Sequence, residues 1–242
     1  NPLNAQESKN KQVRFNEHIN ENAKEYIKNE LLPIISQNLS PLCTCSMAED
    51  GFSINVRYPN AFDDNYLRPE ILLEIEPLAS WLPSYSFEIS SFAAQKFPEV
   101  FEKTKCSVNT IVAKRTFWEK ATILHHEANR PEESPMPTRY SRHYYDLAMM
   151  VQSEVKNEAL ADLNLLQNVV DFKQKFYPRT WAKYEEAIPG TLKLLPPEFR
   201  LDSLEKDYKA MQNMIFDKYI SFEEIIEILE NLEKEINEIN EI

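Results

Sequence analysis

Hydrophobic residues at helical spacing open the chain, and short β-type segments follow them. Between residues 12 and 36, Phe15, Ile19, Ala23, Ile27 and Leu31 recur every four residues, which predicts an amphipathic helix. Five segments rich in β-branched and aromatic residues come next: LCTCSM, GFSINVRY, PEILLEIEP, YSFEIS and CSVNTIV. Because turn-forming stretches such as EDG and PNAFDDN separate them, we predict a small, mostly antiparallel sheet flanked by the first helix.

From Arg115 onward the hydrophobic pattern becomes helical and stays so to the end. The predicted helices span residues 114–129, 139–152, 159–176, 199–217 and 222–240. The pattern therefore predicts an α+β fold with two parts. Residues 1–113 form an α/β region, and residues 114–242 form a helical region.

The last predicted helix has a clear start and a regular apolar stripe. Ser221 and Glu224 have the spacing of a capping box. The apolar residues then recur at spacings of three and four: Phe222, Ile225, Leu229, Leu232, Ile236 and Ile239. This stripe indicates either a helix docked on its own domain or a seam for a partner or second copy.

The overall charge excludes one broad class of function. With 27 Lys and Arg against 39 Asp and Glu, the net charge is 27 − 39 = −12. A general nucleic-acid coat protein would show a broad cationic face instead. One local cationic cleft remains compatible with this balance.

Glycine and cysteine counts narrow the chemistry further. Only Gly51 and Gly190 occur, so no Walker loop or dinucleotide fingerprint is present, and side chains must bind any phosphate. Cys43, Cys45 and Cys106 have neither metal-ligand spacing nor an even count for disulfides, which favours a reducing cytosol. No apolar run approaches the ~20 residues of a transmembrane helix, and no signal peptide opens the sequence.

The segment from Lys114 to His143 is a basic and aromatic island in this acidic chain. It contains six Lys and Arg side chains against four Glu, together with three of the four histidines. Such an island is either a folded core with salt-bridged edges or the wall of an anion-binding cleft. Lys120 lies at the margin of an apolar helical stripe. Either its aliphatic stem packs on the stripe and its ammonium reaches solvent, or the ammonium faces a ligand.

Two further groups of side chains are candidates for chemistry. Asp146 follows Arg142 by four residues and His143 by three, so the three share a helix face. They form either a half-buried ion pair or an acid held in a cleft. Glu74 and Glu76 share one face of a predicted strand, which is either an exposed sheet surface or a pair of ligands for a divalent metal.

Four segments, in this order, resemble the nucleotidyltransferase AbiEii/AbiGii toxin family: RPEILLEIEP, RTFWEKATILHHE, RYSRHYYDLAMM and PGTLKLLPP. The resemblance runs from about residue 12 to the end, and the two central motifs are specific. These bacterial proteins are mostly toxins of toxin–antitoxin or phage-defence operons. The resemblance implies a polymerase-β-like nucleotidyltransferase core followed by a helical C-terminal region. It also implies Mg²⁺-dependent transfer of a nucleotide from a nucleoside triphosphate to an acceptor such as a tRNA end.

The resemblance also implies roles for individual residues. Lys120 matches the lysine that faces the nucleotide phosphates, and Asp146 matches an active-site acid beside it. Glu74 matches a third carboxylate, and with Glu76 it is a candidate metal ligand. The expected substrate-binding side chains, which include a cationic rim for an RNA end, are Arg115, Arg139, Arg142, His125 and His143.

One part of the family pattern is absent from this sequence. A Gly-Gly-Thr/Ser turn and a Ser-x-Asp-x-Asp strand should precede residue 12, and Asp63 and Asp64 follow no glycine loop. The expectation is that the chain is a fragment or an inactive member. The alternative function is a non-catalytic protein-interaction module of a toxin–antitoxin or phage-defence system, with an antitoxin as a partner.

Overall fold

The computed structural model describes residues 8–59, 70–215 and 219–239. It divides the chain into two compact units, Leu3–Ser80 and Trp81–Ile242. The division falls earlier than the predicted one after residue 113, because the last two strands group with the helices. The α+β class and the antiparallel strands are confirmed, but the strands lie in two sheets rather than one.

The first unit places a long helical segment beside a three-stranded sheet. Its elements are α1 (Lys9–Tyr26), a π-helical turn (Ile27–Leu31), α2 (Leu32–Leu39), β1 (Thr44–Met47), β2 (Ser53–Arg57) and β3 (Glu70–Glu74). The sheet is antiparallel in the order β1-β2-β3, with Ile54 opposite Leu73. Ile27, Ile54 and Val56 form its small buried core.

The second unit begins with a β-hairpin-like pair and continues with helices. Its elements are β4 (Ser84–Ile89), α3 (Phe92–Lys96), β5 (Cys106–Ile111), α4 (Ala113–Ala128), α5 (Ser141–Val151), α6 (Val155–Leu160), α7 (Leu163–Phe176), α8 (Glu198–Ala210) and α9 (Phe222–Asn237). Short 3₁₀ turns lie at Pro98–Val100, Thr180–Ala182, Tyr184–Glu186 and Gln212–Met214. The predicted helix 159–176 is two helices, because the Asp162 side chain caps the start of α7.

Helix α4 forms the centre of the second unit, with α5, α6 and α7 packed against it. Its predicted apolar stripe is confirmed, since Phe117, Ala121 and Leu124 are fully buried. Helix α9 is also docked on its own unit. Its capping box is present, and its stripe is buried: Phe222, Ile225, Leu229, Leu232 and Ile236. This outcome favours the docked-helix interpretation over an exposed seam.

The cysteines and the helix lengths bear on the chemistry and on the membrane. All three cysteines carry free thiols, and they are half-buried or exposed. Among the described residues, none of the helices combines the length and apolar character needed to cross a bilayer.

Candidate active site

One face of α4 stays half-buried between the helices that flank it. This face, which we call the α4 face, consists of Thr116, Glu119, Lys120, Ile123 and His126, with Arg130 just beyond the end of the helix. The apolar residues on the opposite side of the helix pack into the core, so the α4 face points toward the surface. Side chains from α5 reach the α4 face on one side, and side chains from α7 reach it on the other.

Lys120 is held by two side chains of α5. Its Nζ donates to Asp146 Oδ2 at 2.6 Å and to His143 Nδ1 at 3.0 Å. His143 and Asp146 are three residues apart, so they project from the same side of α5. The ion pair is only partly covered, since the Lys120 side chain is 19% exposed and that of Asp146 is 41% exposed. The predicted neighbours Lys120 and Asp146 are therefore in direct contact.

His143 is a neutral member of this cluster. Burial, and then the charges of Lys120 and Arg142, lower the pKa of His143 to about 3. A lysine ammonium can only donate hydrogen bonds, so Nδ1 accepts and the ring hydrogen lies on Nε2. His143 contacts Lys120 as a neutral ring, and its role in binding substrate stays a prediction.

His125 is also buried and neutral. Its Nδ1 accepts the backbone N–H of Lys193 at 3.0 Å, and its Nε2 lies 3.0 Å from the backbone oxygen of Lys183. Burial lowers the pKa of His125, and the residue is 0% exposed. Both ring nitrogens of His125 are thus used inside the fold, and its role at a cationic rim stays a prediction.

The three predicted arginines lie in different environments. Arg115 is buried: its Nε donates to Glu119 at 2.9 Å and its Nη1 to the backbone oxygen of Leu82 at 2.7 Å. Its Nη2 is buried with no hydrogen-bond acceptor among the described residues. Arg139 and Arg142 are exposed at the start of α5. Arg139 has a φ of 62°, and its backbone N–H donates to Asp207.

Lys173 of α7 is a site residue that sequence reasoning missed. Its Nζ donates to the backbone oxygen of Glu119 at 3.2 Å. Burial, opposed by Glu119 and reinforced by Arg115 and Lys120, lowers the pKa of Lys173 to about 7. The available signal was its position, because residues 166, 169, 170 and 173 have the spacing of an apolar helical stripe.

An aromatic and cationic group extends the α4 face toward its C-terminal end. The rings of His126 and Trp181 lie 4.4 Å apart, and the Arg130 guanidinium lies 4.7 Å from the Trp181 ring centre. Arg130 is also paired with Glu127 through two hydrogen bonds, at 2.7 and 2.8 Å. Burial, followed by the charges of Arg130, Lys173 and Arg179, lowers the pKa of His126 to about 3.

The predicted metal ligands are not assembled by the described residues. Glu74 ends β3 and Glu76 follows it, and both side chains are exposed in the first unit. No group of three or more His, Cys, Asp or Glu side chains in residues 8–59, 70–215 and 219–239 has the geometry to hold a metal. Asp63 and Asp64 lie outside the described residues. The convergence of Glu74 with Lys120 and Asp146 stays a prediction.

Comparison with known proteins gives one match. Residues 7–228 match the family model described as "Nucleotidyl transferase AbiEii toxin, Type IV TA system". The match covers both units and every motif that carries the sequence resemblance. No curated protein and no solved structure matches the chain.

Proposed function

The chain belongs to the nucleotidyl transferase AbiEii toxin family, and from this premise we propose that it transfers a nucleotide from a nucleoside triphosphate to an acceptor such as a tRNA end. The observation that carries the proposal is the contact of Lys120 with Asp146 and His143 on the half-buried α4 face. These are the lysine and the acid that the family motifs indicated. Their sequence separation is large, so the fold is needed to bring them together.

The geometry around Lys120 suits a phosphate ligand. An ammonium group has three N–H donors. Asp146 and His143 accept two of them, and the third has no acceptor in the described part of the chain. Because His143 is neutral, it fixes the ammonium without adding or removing charge.

We assign Lys120 to the charge that develops on the leaving pyrophosphate. In nucleotide transfer, an acceptor hydroxyl attacks the α-phosphorus, the bond to the β-phosphate oxygen breaks, and pyrophosphate leaves with that oxygen. Negative charge therefore grows on the phosphates in the transition state. A positioned ammonium in a partly desolvated site stabilises this charge more than bulk water does. Asp146 positions the ammonium for this contact.

The exposed arginines are suited to the acceptor. Arg139 and Arg142 lie at the start of α5, next to the cluster of Lys120. Exposed guanidinium groups bind RNA phosphates with little sequence preference. We therefore propose that they contact the backbone of an RNA end.

Mg²⁺ is the cofactor that the family implies, with Glu74 and Glu76 as its proposed ligands. When bound, it would neutralise charge on the triphosphate oxygens. The two glutamates are exposed and do not by themselves complete a set of ligands among the described residues. The roles proposed for Lys120, Asp146 and the exposed arginines do not depend on the metal.

The experiment measures transfer of label from α-³²P nucleoside triphosphates to total tRNA. Lys120→Ala should lower the rate by about 100-fold, as the loss of a charge-stabilising donor does in other enzymes. Lys206→Ala is the matched control, because Lys206 is an exposed lysine of α8. Normal transfer by the Lys120 variant would remove Lys120 from the mechanism. Absence of transfer by the unaltered chain would remove the proposed activity.

The alternative function, a non-catalytic interaction module, gains no support from the apolar stripe of α9, whose residues Ile225 and Leu229 are 0% exposed. A buried stripe cannot serve as a seam for a partner. An antitoxin protein remains a proposed partner, in keeping with the toxin–antitoxin context of the family.

A further inference from the structure

We propose that Lys173 is a second phosphate-binding cation, which together with Lys120 and Arg115 forms a binding site for a diphosphate or triphosphate group. This inference rests on the proposed function only for the identity of the ligand, a nucleotide or the pyrophosphate that it releases. Lys173 lies outside the family motifs of the sequence. It is identified by N–H donors of Lys173 and its neighbours that have no acceptor among the described residues.

The first observation is that Lys173 has few partners for a half-buried cation. Its only hydrogen-bond acceptor among the described residues is the backbone oxygen of Glu119, at 3.2 Å. No carboxylate of the described residues forms an ion pair with it. A charged group taken out of water is costly unless it is paired and fully hydrogen-bonded, so this position calls for a further acceptor.

The second observation is that the surroundings of Lys173 are mainly cationic or neutral. From α4 it faces Arg115, Glu119, Lys120 and His126; from α5 it faces His143; and from the turn after α7 it faces the ring of Tyr184. Glu119 is the only acid in this set. Its carboxylate already accepts from Arg115 at 2.9 Å. The positive charge around Lys173 is therefore only partly neutralised.

The third observation is that the neighbouring cations also have unused donors. Arg115 has a buried Nη2 without an acceptor, although the residue is only 2% exposed. Lys120 has one N–H without an acceptor in the described residues. Two N–H groups of the charged Lys173 side chain also have no acceptor in the described residues. An anion with several oxygens could accept from all three side chains, whereas a single water could not.

Glu119 contacts two of the three cations, because its backbone oxygen accepts from Lys173 and its carboxylate accepts from Arg115. The third, Lys120, is the next residue of α4 and is held by Asp146 and His143. The three cations are thus anchored before any ligand arrives. Preformed donors of this kind bind anions without a large cost for ordering side chains.

The inference predicts uptake of a proton when the anion binds. In the free protein the pKa of Lys173 is about 7, so at pH 8 most of this amine is neutral. A bound phosphate places negative charge beside the amine and raises its pKa, because a nearby opposite charge favours the charged form. Binding at pH 8 should therefore take up close to one proton at Lys173.

The experiment is calorimetric titration of the chain with inorganic pyrophosphate at pH 8, in two buffers of different ionisation enthalpy. The difference in heat between the buffers gives the number of protons taken up. Lys173→Met should bind about tenfold or more weakly, because a charge-assisted contact is lost, and should take up about one proton fewer. Lys173→Arg should retain binding but lose the extra proton, since arginine stays charged.

Lys175→Met is the matched control, because Lys175 is an exposed lysine on the same helix. It should bind pyrophosphate and take up protons as the unaltered chain does. If Lys173→Met does not fold, the Lys173→Arg variant and the unaltered chain still decide the question. Proton uptake that is unchanged in Lys173→Arg would overturn the inference, as would an absence of pyrophosphate binding by the unaltered chain.

The outcome separates this inference from the proposed function. Pyrophosphate binding with uptake that depends on Lys173, in a chain that transfers no nucleotide, would support the inference and remove the proposed activity. Nucleotide transfer together with normal pyrophosphate binding by Lys173→Met would support the activity and overturn the inference.

Discussion

Asp207 of α8 holds the first turn of α5 in place, and its removal is a quantitative test of how the site is positioned. Its carboxylate accepts the backbone N–H of Arg139 at 2.8 Å, the backbone N–H of Ser141 at 2.9 Å and the Ser141 hydroxyl at 2.6 Å. A carboxylate at the N-terminus of a helix satisfies otherwise unpaired N–H groups. Since α5 carries His143 and Asp146, Asp207 also fixes the partners of Lys120.

The expected cost of Asp207→Ala follows from these contacts. Loss of a helix N-cap typically costs about 1 kcal/mol. Water can replace the lost contact at the exposed Arg139, but Ser141 is 0% exposed. Its backbone N–H loses its acceptor, and its hydroxyl keeps only the weak acceptor Met211 Sδ at 3.5 Å. Hydrogen bonds to charged groups contribute about 1.5–3 kcal/mol each. Taken at the lower end of that range, the two bonds at Ser141 give a total of about 3 kcal/mol, or about 6–12 °C in melting temperature for a domain of this size.

Urea unfolding followed by circular dichroism measures this change directly. Asp202→Ala is the matched control, because Asp202 is an exposed residue of the same helix and the substitution is identical. The difference between the two variants removes the effect of helix propensity. A difference below about 0.5 kcal/mol would refute the reasoning, since surface substitutions already fall within that range.

Two further predictions concern stability. Ser221→Ala should destabilise the chain by about 1 kcal/mol in urea unfolding, because the capping box of Ser221 and Glu224 at the start of α9 is lost. His126 and His143 have pKa values of about 3 in the fold against 6.5 in an unfolded chain, so the unfolded state binds their protons first. Stability should therefore fall as pH decreases from about 6.5 toward 3, with a lower urea midpoint at pH 4.5 than at pH 7.5. Proton NMR should show no titration of these two rings between pH 5 and 8.

The hydrophobic pattern predicted most elements of the fold because periodicity is a local property. All five strands were predicted, and so was the helical character of the second half of the chain. The pattern could not show that β4 and β5 pair only with each other, since strand partners depend on tertiary packing. The break at Asp162 was missed, although an Asp before an apolar run is a recognised capping signal.

The site was only partly predictable, for a related reason. Spacing placed Asp146 beside Arg142 and His143, but the family resemblance was needed to pair it with Lys120. Burial lowers the pKa of His125 and of His143, and this could not be predicted because burial is not visible in spacing. Lys173 lies more than fifty residues after Lys120, and only the packing of α7 on α4 brings it to the site.

The distribution of ion pairs supports an anion-binding role for this part of the chain. In a chain with a net charge of −12, carboxylates are plentiful, and lysines elsewhere are paired with one, as the half-buried Lys156 is with Glu235 and the exposed Lys234 with Glu230. The cations of the site are different. Arg115, Lys120 and Lys173 share only the carboxylates of Glu119 and Asp146, and their remaining acceptors are neutral groups. Two carboxylates for three cations leave one positive charge without a counter-ion, which lowers stability, and a ligand that supplies the missing negative charge explains this most simply.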